Sequence, residues 1–133
     1  MLRRLFVIVF CLPGLGLAAG IQWQAWSPEM FTRAAREDRL VLVDVTAQWC
    51  AFCKKMDLET YTDPEVVALI RARYVPVRMD EAAFPEWVAR YPARRPLTLV
   101  FDAQGRERVR KAGYLKPRWM LWLLQAMLEE ARP

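Results

Sequence analysis

An α/β fold, with a central mixed β-sheet and helices on both of its faces, is what this sequence predicts, and three features predict it. Leu40 to Thr46 is a β-branched apolar run without polar alternation, the pattern of a strand covered on both sides. Tyr74 to Asp80 is a second buried strand, separated from the first by helical sequence. Leu97 to Asp102 and Arg106 to Lys111 then form a hairpin about the turn Ala103-Gln104-Gly105, the second arm alternating as an edge strand does. Alternating elements followed by a hairpin give a sheet of mixed direction.

The remaining elements follow in order. Ser27-Pro28-Glu29 opens a first helix, with Ser27 as N-cap, Pro28 at the first helical position and an acid in the first turn; it runs to about Asp38. Trp49-Cys50 ends the first strand, and a helix runs from about Ala51 through Leu58. Asp63-Pro64-Glu65 repeats the capping signal and starts a short helix to about Ala72. Phe84 to Tyr91 reads as a short helix bounded by Pro85 and Pro92. Gly113 breaks the hairpin's second arm, and Pro117 starts a terminal helix to about Ala131. Between Trp119 and Leu128 only Gln125 is polar. Such a helix is either well buried with one or two exposed apolar residues, or offers Trp119 or Trp122 to a partner or a membrane face.

The chain has 133 residues, 55% of them hydrophobic, enough for one compact core. It contains no histidine, which excludes Ser-His-Asp and Cys-His hydrolases, histidine metal sites and histidine general bases. The net charge of +5 comes without a long single-sign run, so it reads as solvated surface, and no nucleic-acid partner is expected.

The N-terminus has the parts of an export signal. Arg3 and Arg4 are followed by an apolar stretch from Leu5 to Leu17, then by small residues at Gly16, Ala18, Ala19 and Gly20 that suit signal peptidase. Residues 1–20 are therefore expected to be a signal peptide and residues 21–133 the working domain. The apolar run is short for a transmembrane helix, with an uncleaved N-terminal anchor as the alternative. Cys11 leaves with the signal, and Cys50 and Cys53 are then the remaining cysteines. The expected location is the periplasm or an equivalent exported space.

Cys50-Ala51-Phe52-Cys53 stands where a buried strand ends and a helix begins. At a helix N-terminus, unpaired backbone N–H groups and the helix dipole favour an anion, here the Cys50 thiolate, which is the attacking species. Cys53, one turn further in and expected to be less exposed, is placed to attack Cys50. Cys50 is thus the nucleophile and Cys53 the resolving thiol of a disulfide-exchange cycle. Two other readings stand beside it. A structural disulfide across so small a ring stabilises little. Zinc ordinarily takes four ligands, but a cuprous ion held by two thiolates is compatible with the pair.

Asp44-Val45-Thr46-Ala47-Gln48-Trp49-Cys50-Ala51-Phe52-Cys53-Lys54 resembles the signature of the thioredoxin family, an acid followed by Trp-Cys-x-x-Cys-Lys. Pro96 to Asp102 resembles the segment opened by the family's cis-proline, and Lys111-Ala112-Gly113-Tyr114-Leu115 the glycine-bearing stretch before its last helix. Met56 to Ile70, with Glu59, Tyr61 and Asp63-Pro64-Glu65-Val66, is similar to a subgroup that includes the C-terminal domain of the disulfide reductase DsbD and related small periplasmic proteins. The resemblance implies a thioredoxin fold over nearly the whole mature chain. It implies that Pro96 faces the disulfide, and that the backbone of Arg95 pairs with an extended stretch of substrate. It implies that Asp44 is a buried acid accepting the Cys53 proton, and that Trp49 shields the site and helps form the docking surface. The plainer alternatives are an ordinary loop proline, a strand-end carboxylate satisfied by solvent, and a core tryptophan.

The departures from the family pattern matter too. Ala51 and Phe52 stand between the cysteines, where thioredoxin has Gly-Pro and strong oxidants tend to carry histidine. Phe52 adds an apolar rim beside the nucleophile. Arg94-Arg95 puts two positive charges next to the substrate groove, either to raise the thiolate fraction or to select an acidic partner. The expected protein is a monomeric thiol–disulfide oxidoreductase without cofactor or resident metal. It would reduce disulfides in exported proteins and be recharged by a membrane-bound electron donor. An oxidase or general exchanger, and a copper-handling module, are the alternatives.

Overall fold

The computed structural model describes residues 20–133. The expected signal peptide, with Arg3, Arg4 and Cys11, lies outside the described residues except for Gly20. The elements are α1 (Glu29–Glu37), β1 (Leu40–Thr46), α2 (Ala51–Glu59), α3 (Pro64–Arg73), β2 (Tyr74–Asp80), α4 (Pro85–Val88), β3 (Leu97–Phe101), β4 (Glu107–Ala112) and α5 (Pro117–Glu130).

The four strands form one sheet in the order β2-β1-β3-β4. β1 runs parallel to β2 and antiparallel to β3, and β4 returns antiparallel to β3. The two central strands are buried along nearly their whole length, which is why β1 and β3 show no polar alternation. Alternate residues of β1 serve opposite cores. Val41, Val43 and Val45 pack with Met30 and Ala34 of α1 and Val88 of α4. Leu40 and Leu42 pack with Met56 of α2, Val66 and Ile70 of α3, and Met120, Leu124 and Met127 of α5. By the same two-residue period, Asp44 points to the face that α2, α3 and α5 cover.

Local signals account for most boundaries. Asp63 caps α3, its Oδ1 accepting the backbone N–H groups of Glu65 and Val66 at 3.0 and 3.1 Å. In the β3–β4 turn, Asp102 Oδ1 accepts from the backbone of Gln104 and Arg106, both at 3.0 Å. Gly105 holds φ at +81° there, a left-handed conformation that a side chain would oppose. Among the described residues no helix is long and apolar enough to cross a membrane.

Two expectations are corrected. Pro28, not Ser27, is the N-cap of α1, and the helix starts at Glu29. Ser27 sits one position outside, its hydroxyl in contact with the Glu29 carboxylate. The helix expected over Phe84 to Tyr91 is a single turn, Pro85–Val88. The chain beyond it is held otherwise: the rings of Trp87 and Tyr91 stack 4.4 Å apart, and the carbonyls of Tyr91 and Ala93 receive the Arg95 guanidinium. The terminal helix buries Met120, Leu124 and Met127 and leaves Trp119 and Trp122 exposed, edge to face with each other.

Candidate disulfide-exchange site

β1 ends at Thr46, and four residues later Cys50 caps α2. Cys50 has extended backbone (φ −86°, ψ 102°), and its Sγ accepts the backbone N–H of Cys53 at 3.1 Å. An N-cap acceptor is ordinarily an oxygen, and here a sulfur fills that place, so negative charge on it meets the helix N-terminus. Cys50 and Cys53 are joined as a disulfide with Cα atoms 5.3 Å apart. With Ala47 they form a small buried cluster.

The expected difference in exposure between the cysteines is absent. Cys50 is 3% and Cys53 4% exposed. What separates them is backbone position: Cys50 stands outside the first turn and accepts a hydrogen bond, whereas Cys53 stands within the helix and donates one. The rim around them is aromatic. Trp49 and Phe52 are both exposed, at 71% and 58%, and Phe52 tilts against Tyr114 at 6.3 Å.

Asp44 is buried on the α2 side of the sheet, at 3% exposure. Its β2 register partner is Arg78 and its β3 partner Thr98. Arg78 Nε donates to Asp44 Oδ2 at 3.0 Å, and Arg78 Nη2 reaches Asp57 Oδ1 on α2 at 2.5 Å. The guanidinium also lies over the Trp23 ring, 4.3 Å from its centroid. Among the described residues no protein group hydrogen-bonds Asp44 Oδ1. Burial raises the Asp44 pKa to about 6, with the Arg78 charge pulling the other way and Asp57 reinforcing the rise.

The loop before β3 contains the second half of the site. The Arg95–Pro96 peptide bond is cis, and Pro96 is buried. The carbonyl of Pro96 accepts the Gly113 N–H at 2.8 Å, tying this loop to the one before α5. Phe52, Arg94, Arg95, Gly113 and Tyr114 together line a groove beside the CxxC helix.

The two adjacent arginines do not act alike, which corrects the expectation of two charges at the groove. Arg94 is exposed. Arg95 is buried, its guanidinium turned inward to Glu81 Oε2 at 3.1 Å and to the carbonyls of Tyr91 and Ala93 at 3.2 and 2.7 Å. Glu81 also accepts from Trp49 Nε1 at 2.9 Å.

Glu81, Arg78 and Asp57 carry no motif that marks them in the sequence as parts of the site. Arg78 is reachable through register alone: two parallel strands paired from their first residues, Leu40 with Tyr74, place residue 78 beside residue 44. Glu81 and Asp57 have no such signal.

Known proteins resemble this chain in sequence and in fold. The sequence model of the Thioredox_DsbH family, described as "Protein of unknown function, DUF255", matches residues 16–99. The thiol:disulfide interchange protein DsbD of Ralstonia nicotianae is 31% identical over 111 residues, 78% of this chain and 18% of that protein. The chain spans 8% to 18% of the length of such longer relatives. Among solved structures, the oxidised C-terminal domain of Neisseria meningitidis DsbD is 27% identical with a TM-score of 0.59, covering 72% of this chain and 88% of that one. A thioredoxin from Thermus thermophilus superposes with a TM-score of 0.72 at 23% identity, covering 82% of this chain and 88% of that one, which shows the thioredoxin fold. These likenesses, with the joined Cys50 and Cys53, support thiol–disulfide oxidoreductase activity. Because the family match runs from residue 16 through the CxxC helix and into β3, the chain belongs to the Thioredox_DsbH family and is a thioredoxin-like protein.

Proposed function

We propose that this chain is an exported reductase of protein disulfides, working in the periplasm or an equivalent space and recharged by a membrane-bound electron donor. Residues 1–20 serve as its export signal in this reading and residues 21–133 as its working domain, a monomer. The observation that carries the proposal is the joined Cys50–Cys53 pair at the N-terminus of α2, with Cys50 as the helix cap.

The cycle starts from the reduced pair. The Cys50 thiolate, stabilised by the helix N-terminus, attacks one sulfur of a partner disulfide. The partner's S–S bond breaks, its other sulfur leaves as a thiolate and takes a proton, and a mixed disulfide joins Cys50 to the partner. Cys53 then loses its proton to Asp44 and attacks Cys50 Sγ. That step expels the second partner sulfur as a thiol and forms the Cys50–Cys53 disulfide. Two electrons have passed to the partner, and a dithiol on the membrane donor returns two to the pair by the same chemistry in reverse. Trp49 and Phe52 border the entering disulfide, and the backbone of Arg95, ahead of Pro96, receives the partner's extended chain as an added strand.

Direction is tested by equilibrating the purified chain in glutathione or dithiothreitol buffers and following the fraction of Cys50/Cys53 that remains reactive to a thiol-alkylating reagent. A potential of roughly −270 mV, in the range of thioredoxin, is expected for a reductase; one of roughly −120 mV, in the range of a strong oxidant, overturns that direction. The Cys53→Ser variant is expected to accumulate mixed disulfides with partner proteins, and Cys50→Ser to form none.

A further inference from the structure

We infer that Arg94 selects partners carrying an acidic side chain next to the reacting cysteine. This rests on the disulfide-exchange reading above and names its substrate class. The cation stands in the groove itself, which is lined by Phe52 from the CxxC helix, by Gly113 and Tyr114 from the loop before α5, and by Arg94 and Arg95 from the loop before Pro96. A partner chain reaching Cys50 along the backbone of Arg95 passes between these walls.

The other charged residue that lines the groove is engaged. Arg95 is fixed inward on Glu81 and two carbonyls. Beside the groove, the Glu59 carboxylate receives the hydroxyl of the lining Tyr114. Lys55 lies over the Tyr114 ring at 4.8 Å, adding a second positive group to the same wall. Arg94 has no ion pair or hydrogen bond among the described residues. Its Nη2 lies 3.8 Å from where a Cβ on Gly113 would stand, so the guanidinium rests against the one residue of that loop without a side chain.

The inward fixing of Arg95 gives this placement its specificity. By holding residues 91, 93 and 95 together, it holds the neighbouring Arg94 backbone as well. The backbone that carries Arg94 is therefore held beside the groove, and its guanidinium is free to take an incoming carboxylate in two parallel hydrogen bonds. A cationic partner would instead face uncompensated repulsion. Because the groove is open, the gain is that of a partly screened pair, about fivefold in rate between acidic and basic partners at low salt.

The test uses the full chain, reduced with dithiothreitol and freed of it, mixed in stopped flow with two peptide disulfides. The peptides differ only in having Asp or Lys beside the attacked cysteine. Each turnover consumes one peptide disulfide and the Cys50/Cys53 dithiol, and yields two peptide thiols and the Cys50–Cys53 disulfide. The Asp peptide is expected to react about fivefold faster at low salt, with the ratio falling toward one at about 1 M salt, where screening is nearly complete. Arg94→Gln is expected to bring the low-salt ratio near one, and Arg94→Glu to invert it. Equal rates for the two peptides with wild-type chain, or a ratio that Arg94→Gln and Arg94→Glu leave unchanged, overturn this inference while exchange itself stands. Reduction of neither peptide overturns the exchange reading and this inference with it.

Discussion

The Trp49 indole and the Glu81 carboxylate share a 2.9 Å hydrogen bond, Nε1 to Oε1, while the second oxygen of Glu81 receives Arg95 Nε at 3.1 Å. One carboxylate thus joins the residue ahead of Cys50 to the residue ahead of Pro96. The two halves of the site come from segments more than forty positions apart, and Glu81, just past β2, is the link between them.

Replacing Glu81 by Ala leaves the buried Arg95 charge with carbonyl partners only and the indole N–H without its acceptor. Losing one partner of a largely buried pair costs several kcal/mol, and Glu81 itself is part exposed, so the expected loss is about 2–3 kcal/mol. Glu81→Gln is expected to fall between wild type and Glu81→Ala, because one amide oxygen accepts a single bond and its NH2 opposes the other donor. Urea denaturation of the three proteins measures this. A Glu81→Gln protein as stable as wild type would show that the charge contributes nothing.

Asp44 gives a pH dependence of definite sign. Its carboxyl is raised from 3.8 to about 6, chiefly by burial. Between those values the folded chain holds a proton that the unfolded chain has released. The stability from this group is complete below about 3.8 and is lost as pH rises through about 6. A rise of that size corresponds to about 3 kcal/mol between the protonated and ionised forms. Asp44→Asn removes the titration but weakens the bond to Arg78. It is expected to stabilise the fold at a pH of about 7.5 by about 2 kcal/mol, with the gain gone at about 3.5. Urea curves at the two pH values check it, and an equal gain at both would rule out ionisation as the cause. The same variant is expected to slow exchange at neutral pH by removing the acceptor for the Cys53 proton.

How far such features are legible in the sequence depends on what makes them. The uninterrupted run from Leu40 to Thr46, the Asp63-Pro64-Glu65 cap and Pro117 are local signals, and the elements they mark stand where expected. Cys50 and Cys53 are three apart, and their strand-to-helix setting is equally local. Arg78, Asp57 and Glu81 are charged residues of the kind that lines any surface. They join the site only because the parallel register of β1 and β2 carries residue 78 to residue 44, and because α2 folds back over both. Arg94 and Arg95 are alike in sequence, and which of the two turns inward is decided by Glu81 and by the carbonyls of Tyr91 and Ala93.

Arg78 and Asp57 act on Asp44 with opposite sign, and that opposition can be measured. Arg78 lowers the Asp44 pKa and Asp57 raises it. Arg78→Gln is therefore expected to move the Asp44 titration upward, and Asp57→Asn to move it downward while the direct Arg78–Asp44 bond remains. Carboxyl NMR shifts of Asp44 read both directions. The pH profile of exchange should follow, its midpoint rising in one variant and falling in the other. Shifts of the same sign would mean that Asp57 acts by holding Arg78 in place rather than by its charge.

Asp102 separates folding from chemistry. It stands at the far end of β3 from Pro96 and organises the turn into β4, accepting the Gln104 and Arg106 backbone N–H groups and the Arg106 guanidinium at 2.7 Å. Asp102→Ala removes both acceptor oxygens, and with them three hydrogen bonds, from a turn in which Gly105 already holds a left-handed conformation. The Arg106 side chain is exposed, so that ion pair adds little, and the backbone caps dominate. The expected loss is about 1–2 kcal/mol, the range for removing a side-chain cap. Cys50, Cys53, Asp44 and the groove at Arg94 make no contact with this turn among the described hydrogen bonds and ion pairs. Below the denaturation midpoint the variant should therefore reduce the two test peptides at the wild-type rate and with the wild-type preference. A changed preference would mean that the β3–β4 hairpin sets the position of the loop before Pro96, since β3 is the only strand between them.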